Sequence, residues 1–221
     1  MALTKFNFNS FDLTTVASTG LAFNSSANGF DTAAPGAMTL ISTNTISSGV
    51  SSSSFTSGID STYKEYLFTY NTIHPSADQP SWTFQGSTNS GSSYGVTITS
   101  STFNAYHAES DSEATLEYSG GGDLAQSTNY QRLVTEVNNA NDGCVAGILH
   151  LFEPSSTTFV KHFIANSQSH TDTSGVTESP YSWNMYTAGY FNTTSAIDAI
   201  QFKFTSGNID AGDICLYGLS I

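Results

Sequence analysis

Two acidic stretches hold the residues of this chain that could do chemistry. In HAESDSEATLE, His107, Glu109, Asp111 and Glu113 recur at every second position. On a strand that spacing lines one face, and oxygen-rich sets of this kind bind calcium. Four successive same-face positions nevertheless run too far along a strand to close on one ion. The stretch is therefore expected to be a solvated acidic loop ahead of YSGGGD. The second stretch, FTSGNIDAGDICLYGLSI, gathers Asn208, Asp210 and Asp213 around Gly207 and Gly212. Its N-x-D-x-x-D spacing lacks the further ligands and the distal Glu of an EF-hand loop. It is expected to be a hairpin connection, with glycine supplying backbone freedom and Asn and Asp favouring turn geometry.

Other reactive residues are scattered. His74, His107, His150, His162 and His170 fall in five separate segments, with no i, i+4 pair and no C-x-x-C for zinc. No G-x-S-x-G elbow positions a nucleophilic serine. Cys144 and Cys215 sit in apolar runs and are expected to be buried free thiols, a disulfide between them being the alternative. Exposed aromatic rings on a β-sandwich can stack on sugars; Trp82, Tyr181 and Trp183, with Tyr186, are the candidates, against core packing as the other reading. The expectation is a chain without catalytic residues, metal or cofactor, and not an enzyme.

The elements that would carry these residues are strands. From Ala37 onward, short β-branched and aromatic runs alternate with clusters of Gly, Pro, Asn, Asp and Ser. AMTLISTNTI, EYLFTYNTI, SWTFQGS, YGVTITSSTFNAY, GCVAGILHLFE, TTFVKHFIAN, YSWNMYTAGYF, AIDAIQFKFT and DICLYGLSI each suit a strand. In AIQFKFT, Ile200, Phe202 and Phe204 point one way and Gln201 and Lys203 the other. The segment DLAQSTNYQRLVTEVNNAND is either a short helix or a crossover loop. The echo of SFTSGID in KFTSGNID suggests one turn chemistry used twice. Nine or ten strands without a convincing helix predict an all-β fold: an antiparallel β-sandwich of jelly-roll type over residues 37–221. Residues 1–36 read as an extended N-terminal arm whose Phe6, Phe8, Phe11, Phe23 and Phe30 need a partner to cover them.

Charge narrows the function classes. The 18 acids and five bases leave −13, and only 10% of residues are charged, against about 25% in ordinary soluble domains. Five bases spread over 221 residues cannot form the cationic patch that nucleic acid or an anionic membrane surface requires. No apolar run is long enough for a membrane span, and the first residues lack a signal-peptide core.

FTSGIDSTYKEYLFTYNTIHPSADQPSWTFQGSTNSGSSY, DLAQSTNYQ, GILHLFEPSSTTFVKHFIANS and AGYFNTTSAIDAIQFKFTSGNIDAGDICLYGLSI resemble a β-rich domain in structural proteins of marine tailed bacteriophages of the cyanophage type, described as tail-fibre-like or virion structural. The resemblance spans Thr39 to Ile221. It implies a virion component made in the host cytoplasm, exposed as a tail-fibre or tail-tip part. A capsid decoration or head fibre is the alternative, and a module that binds host surface glycans the second. Partners would be other virion proteins and further copies of the chain, a trimer being the common form. No catalytic residue carries over.

Overall fold

The structure, a computed structural model, describes residues 21–23, 30–32, 37–171 and 180–220. Fourteen strands run through them: β1 (Leu21–Phe23), β2 (Phe30–Thr32), β3 (Met38–Ile46), β4 (Ser53–Phe55), β5 (Glu65–Pro75), β6 (Trp82–Ser87), β7 (Ile98–Ala108), β8 (Ala114–Tyr118), β9 (Gln131–Val134), β10 (Val145–Phe152), β11 (Lys161–Thr171), β12 (Tyr181–Phe191), β13 (Ala199–Phe204) and β14 (Ile209–Leu219). No helix occurs among the described residues. The stretch that left helix and loop open contains β9, flanked by loops.

Two antiparallel sheets face each other as a β-sandwich. The larger has the order β3-β14-β5-β10-β11-β12-β7-β8, the smaller β4-β13-β6-β9. Four antiparallel pairs, β3 with β14, β4 with β13, β5 with β10 and β6 with β9, lie at successive depths of the chain, as in one long hairpin rolled up. Along that hairpin, successive strands alternate between the sheets. β7–β8 and β11–β12 are insertions that extend the larger sheet beyond its smaller mate.

Period-2 patterning explains which faces meet. Tyr66, Phe68 and Tyr70 of β5 and Ile200, Phe202 and Phe204 of β13 are buried, while the residues between them are not. Phe202 is the centre of an aromatic core. Its ring lies 5.4 Å from Phe68 and 6.0 Å from Tyr70 across the sandwich, and 6.4 Å from Phe55, 5.7 Å from Trp82 and 6.3 Å from Phe84 within its own sheet.

The closing turn differs from expectation. Phe204 and Ile209 end strands of different sheets, so TSGNIDAG is not a hairpin but the corner where the chain changes sheet. Gly207 at φ 69 makes the corner, and Gly212 at φ 126 sits in β14 where its register against β5 shifts. A Cβ at Gly212 would meet the Thr72 carbonyl oxygen at 2.8 Å, so backbone crowding as well as φ excludes a side chain. The echoed turn is real: SFTSGID uses Gly58 at φ 83, its β4 strand pairs with β13, and Ile59 and Ile209 both plug the core after their turns.

Ahead of the sandwich, β1 and β2 pair antiparallel with Phe23 opposite Phe30. Phe6, Phe8 and Phe11 lie outside the described residues.

Candidate functional site

Neither acidic stretch converges on a ligand. Glu109–Ser112 turn between β7 and β8, with Asp111 at φ 60 donating its N–H to the Ala108 carbonyl. His107 Nε2 meets Asp111 at 3.1 Å, Glu109 faces His170 at 3.8 Å, and Glu113 accepts from the Tyr106 and Tyr181 hydroxyls at 3.2 and 3.3 Å. Each carboxylate has its own neighbour. Among the described residues no three His, Cys, Asp or Glu side chains gather as a metal site would need.

At the sheet-switching corner, Asp213 accepts from Thr45 Oγ1 at 2.6 Å. Asp210 binds His74 Nδ1 at 2.7 Å, and the other ring nitrogen, Nε2, lies 3.0 Å from the Ala140 carbonyl. Both ring nitrogens thus face acceptors, which only the imidazolium satisfies with two N–H donors. Burial pushes the ring's pKa down, but the Asp210 hydrogen bond, the Ala140 and Asn139 carbonyls and the Asp210 charge together raise it above its ordinary value. The corner is a clamp between β5, β14 and the loop before β10. His150 similarly pairs with Glu65, so four of the five histidines sit on a carboxylate.

The stacking candidates divide. Trp82 is fully buried, tilted on Phe204 at 4.9 Å and stacked on Phe202, so it offers no face to a sugar. Tyr181 is also buried, which removes it on the same ground. Trp183 is half-buried, with one face stacked on Tyr106 at 4.6 Å. Tyr186 is exposed but stacks on Phe103 at 4.9 Å. The cysteines are free, as expected, but both are half-exposed rather than buried.

A surface that sequence reading missed is the outer face of the larger sheet. Eight of the nine large apolar side chains exposed among the described residues stand on it: Met38, Leu40, Phe103, Leu116, Tyr118, Ile148, Ile164 and Tyr186. Phe159, in a loop, is the ninth. Strand register arranges them in rows. One row runs Tyr118, Phe103, Tyr186, Asn166 and Ile148, and the next Ala188, Ile164, His150, Leu67, Tyr217 and Leu40. Beside Ile164 a hollow of about 530 Å³ opens over Ala188, Gly189 and Tyr190, where small residues lower the sheet surface. The signal was present in GILHLF and KHFIAN, whose apolar residues occupy both parities of the strand. A strand with one face in water would carry them on one.

Compared with known protein families, curated proteins and solved structures, the chain matches none.

Proposed function

We propose that this chain is a non-enzymatic structural protein of a bacteriophage particle, exposed on it as a tail-fibre or tail-tip component. The observation that carries the reading is the outer face of the larger sheet. Monomeric proteins rarely expose apolar patches larger than a few hundred Å², and larger ones mark interaction surfaces. Here the exposed apolar side chains collect on one sheet face, while much of the remaining surface is hydroxyl and amide. A second copy of the chain is the partner that this face fits. An apolar sheet face can pack on its symmetry mate at the spacing of two stacked sheets.

The four hairpin-like pairs and the alternation between sheets support reading the sandwich as a jelly roll, an architecture that viral capsid and lectin domains use. Architecture alone does not assign a role, so the sequence resemblance supplies the phage context. The phenylalanines of residues 1–36 would then serve attachment to a neighbouring virion protein. Labelling purified phage particles with an antibody against the sandwich tests this reading. Signal on the tail is the expected result. Signal on the head would replace it with a capsid decoration protein, and no signal on any particle would refute both.

A further inference from the structure

A groove of about 460 Å³ lies on the outer face of the smaller sheet and reaches to the 121–124 loop. Lys203 of β13 pairs with Thr83 of β6, which pairs with Arg132 of β9, so the two cations flank the groove one strand apart on either side of Thr83. Two strand spacings put their backbones about 10 Å apart. The four bases among the described residues divide unequally. Lys64 pairs with Glu153, and the ammonium of buried Lys161 donates to the Phe159 and Thr193 carbonyls. Arg132 makes no hydrogen bond or ion pair from its guanidinium among the described residues, and Lys203 rests on the Tyr130 ring at 4.2 Å without a carboxylate. With 18 acids for five bases, unpaired cations are not a shortage of carboxylates. Both cations are therefore free to meet an anion from outside.

Both walls are held in place by buried glutamines. Gln131 donates from Nε2 to the Gly122 carbonyl at 2.7 Å and fixes the 120–122 loop. Gln85 donates to the Thr128 and Asn129 carbonyls at 3.2 and 2.8 Å and fixes the loop beside Tyr130. A Cβ on Gly120 would meet nothing within 4 Å, and one on Gly121 only the Arg132 guanidinium, so that loop leaves the approach open. The lining also includes Asp123, Asn129 and Thr205. Asp123 accepts from the Tyr118 hydroxyl at 2.6 Å and forms no ion pair with either cation.

We propose that this groove binds an acidic saccharide, with its carboxylate held between Arg132 and Lys203 and its hydroxyls on Asp123, Asn129 and Thr205. One carboxylate among several hydroxyls matches two cations beside an acid, an amide and a hydroxyl. An acidic peptide would bring repeated charge against Asp123 and the surrounding negative surface. Preformed walls and a Lys side chain already stacked on a ring reduce the ordering cost of binding. The site lies on the other sheet from the apolar face, so it stands whether or not the chain is part of a phage particle.

Isothermal titration calorimetry of the full chain with oligogalacturonate, oligoalginate and sialyllactose tests it, with methyl-esterified oligogalacturonate and oligoglutamate as controls. Binding of at least one acidic saccharide, and of neither control, is expected. Arg132→Gln and Lys203→Gln should each weaken that binding roughly tenfold or more, as loss of a hydrogen bond to a charged group does, with unchanged melting temperature. Equal binding of the methyl ester, stronger binding of oligoglutamate, insensitivity to both substitutions, or no binding tighter than about 10 mM would overturn the proposal.

Discussion

Replacing Ile164 by Glu tests whether the apolar sheet face is where copies meet. The eight strands of the larger sheet cannot form one flat contact, because a twist of about 20–25° per step accumulates to roughly 150° across seven steps. About four neighbouring strands share a plane, and β10, β11, β12 and β7 carry Ile148, Ile164, Tyr186 and Phe103 at its middle. Four strands about 4.8 Å apart and nine residues long at about 3.3 Å each cover roughly 500 Å². Two copies would bury on the order of 1,000 Å², the lower limit for a specific interface. An assembly this small is weak, on the order of micromolar, and one buried charge is enough to dissolve it. Ile164 is already 52% exposed in the single chain, so Glu there should change folding stability by less than about 1 kcal/mol. In the interface its carboxylate would lose water beside His150, whose ring already pairs with Glu65, at a cost of several kcal/mol. Sedimentation equilibrium at about 5–100 μM should show concentration-dependent association of the wild-type chain and a constant 23.5 kDa species for Ile164→Glu. A wild-type chain that stays at monomer mass throughout, or a variant that associates equally well, would refute self-assembly through this face.

Three further outcomes follow from the interior and the corner. Phe202→Ala should cost about 3–5 kcal/mol, because it removes the ring shared by both sheets; urea denaturation would read this as a lower midpoint with an unchanged slope. The folded pKa of His74 is raised, so its clamp on Asp210 contributes fully below the unfolded value of about 6.5 and is lost as pH rises through the folded value. A stability profile from pH 5 to 9 should therefore lose a falling component in His74→Gln, and an imidazole NMR titration should place the wild-type ring above its ordinary value. Because both thiols are free and half-exposed, native chain should react with two equivalents of a maleimide; labelling only after denaturation would contradict that exposure.

Much of the sandwich was legible because its strands are long and apolar on at least one parity. All nine of the runs singled out by composition contain strands. Those that escaped are short or polar: β4 is Ser53–Phe55, β8 is Ala114–Tyr118 with no buried residue, and β9 is four residues inside a stretch with a helix-like spacing. Tyr130, Leu133, Val134 and Val137 satisfied a period near 3.6, yet pairing with β6 decided the conformation, since tertiary contacts override weak local propensity. The corner at Gly207 shows a different limit. A short Gly-containing link between two strands fits both a hairpin and a change of sheet, and only the partners of β13 and β14 distinguish them. Burial of the tryptophans was equally invisible, since Trp82 and Trp183 have similar neighbours in sequence and both point inward, yet only Trp82 is fully covered while Trp183 packs at the margin of the core.

The two surfaces proposed as functional differ in how far sequence could have reached them. The apolar face left a local trace, apolar residues at both parities of β10 and β11, which asks for a partner on each side of the sheet. The groove left none. Arg132 and Lys203 stand 71 positions apart in the numbering, and each looks like an ordinary solvent-facing residue between buried neighbours. It is the register of β9, β6 and β13 that brings them together, and Gln131 and Gln85 that pin the two loops beside them. A fold that buries two glutamines to hold a groove open, and leaves its cations unpaired amid an excess of acids, has the preorganisation expected of a binding site. The net charge of −13 argues against nucleic acid as a partner, but the total also hides a local reversal of sign. The average field repels anions, while the groove offers them the two free cations of the described chain. Selectivity for a ligand with one charge and many hydroxyls follows from that combination.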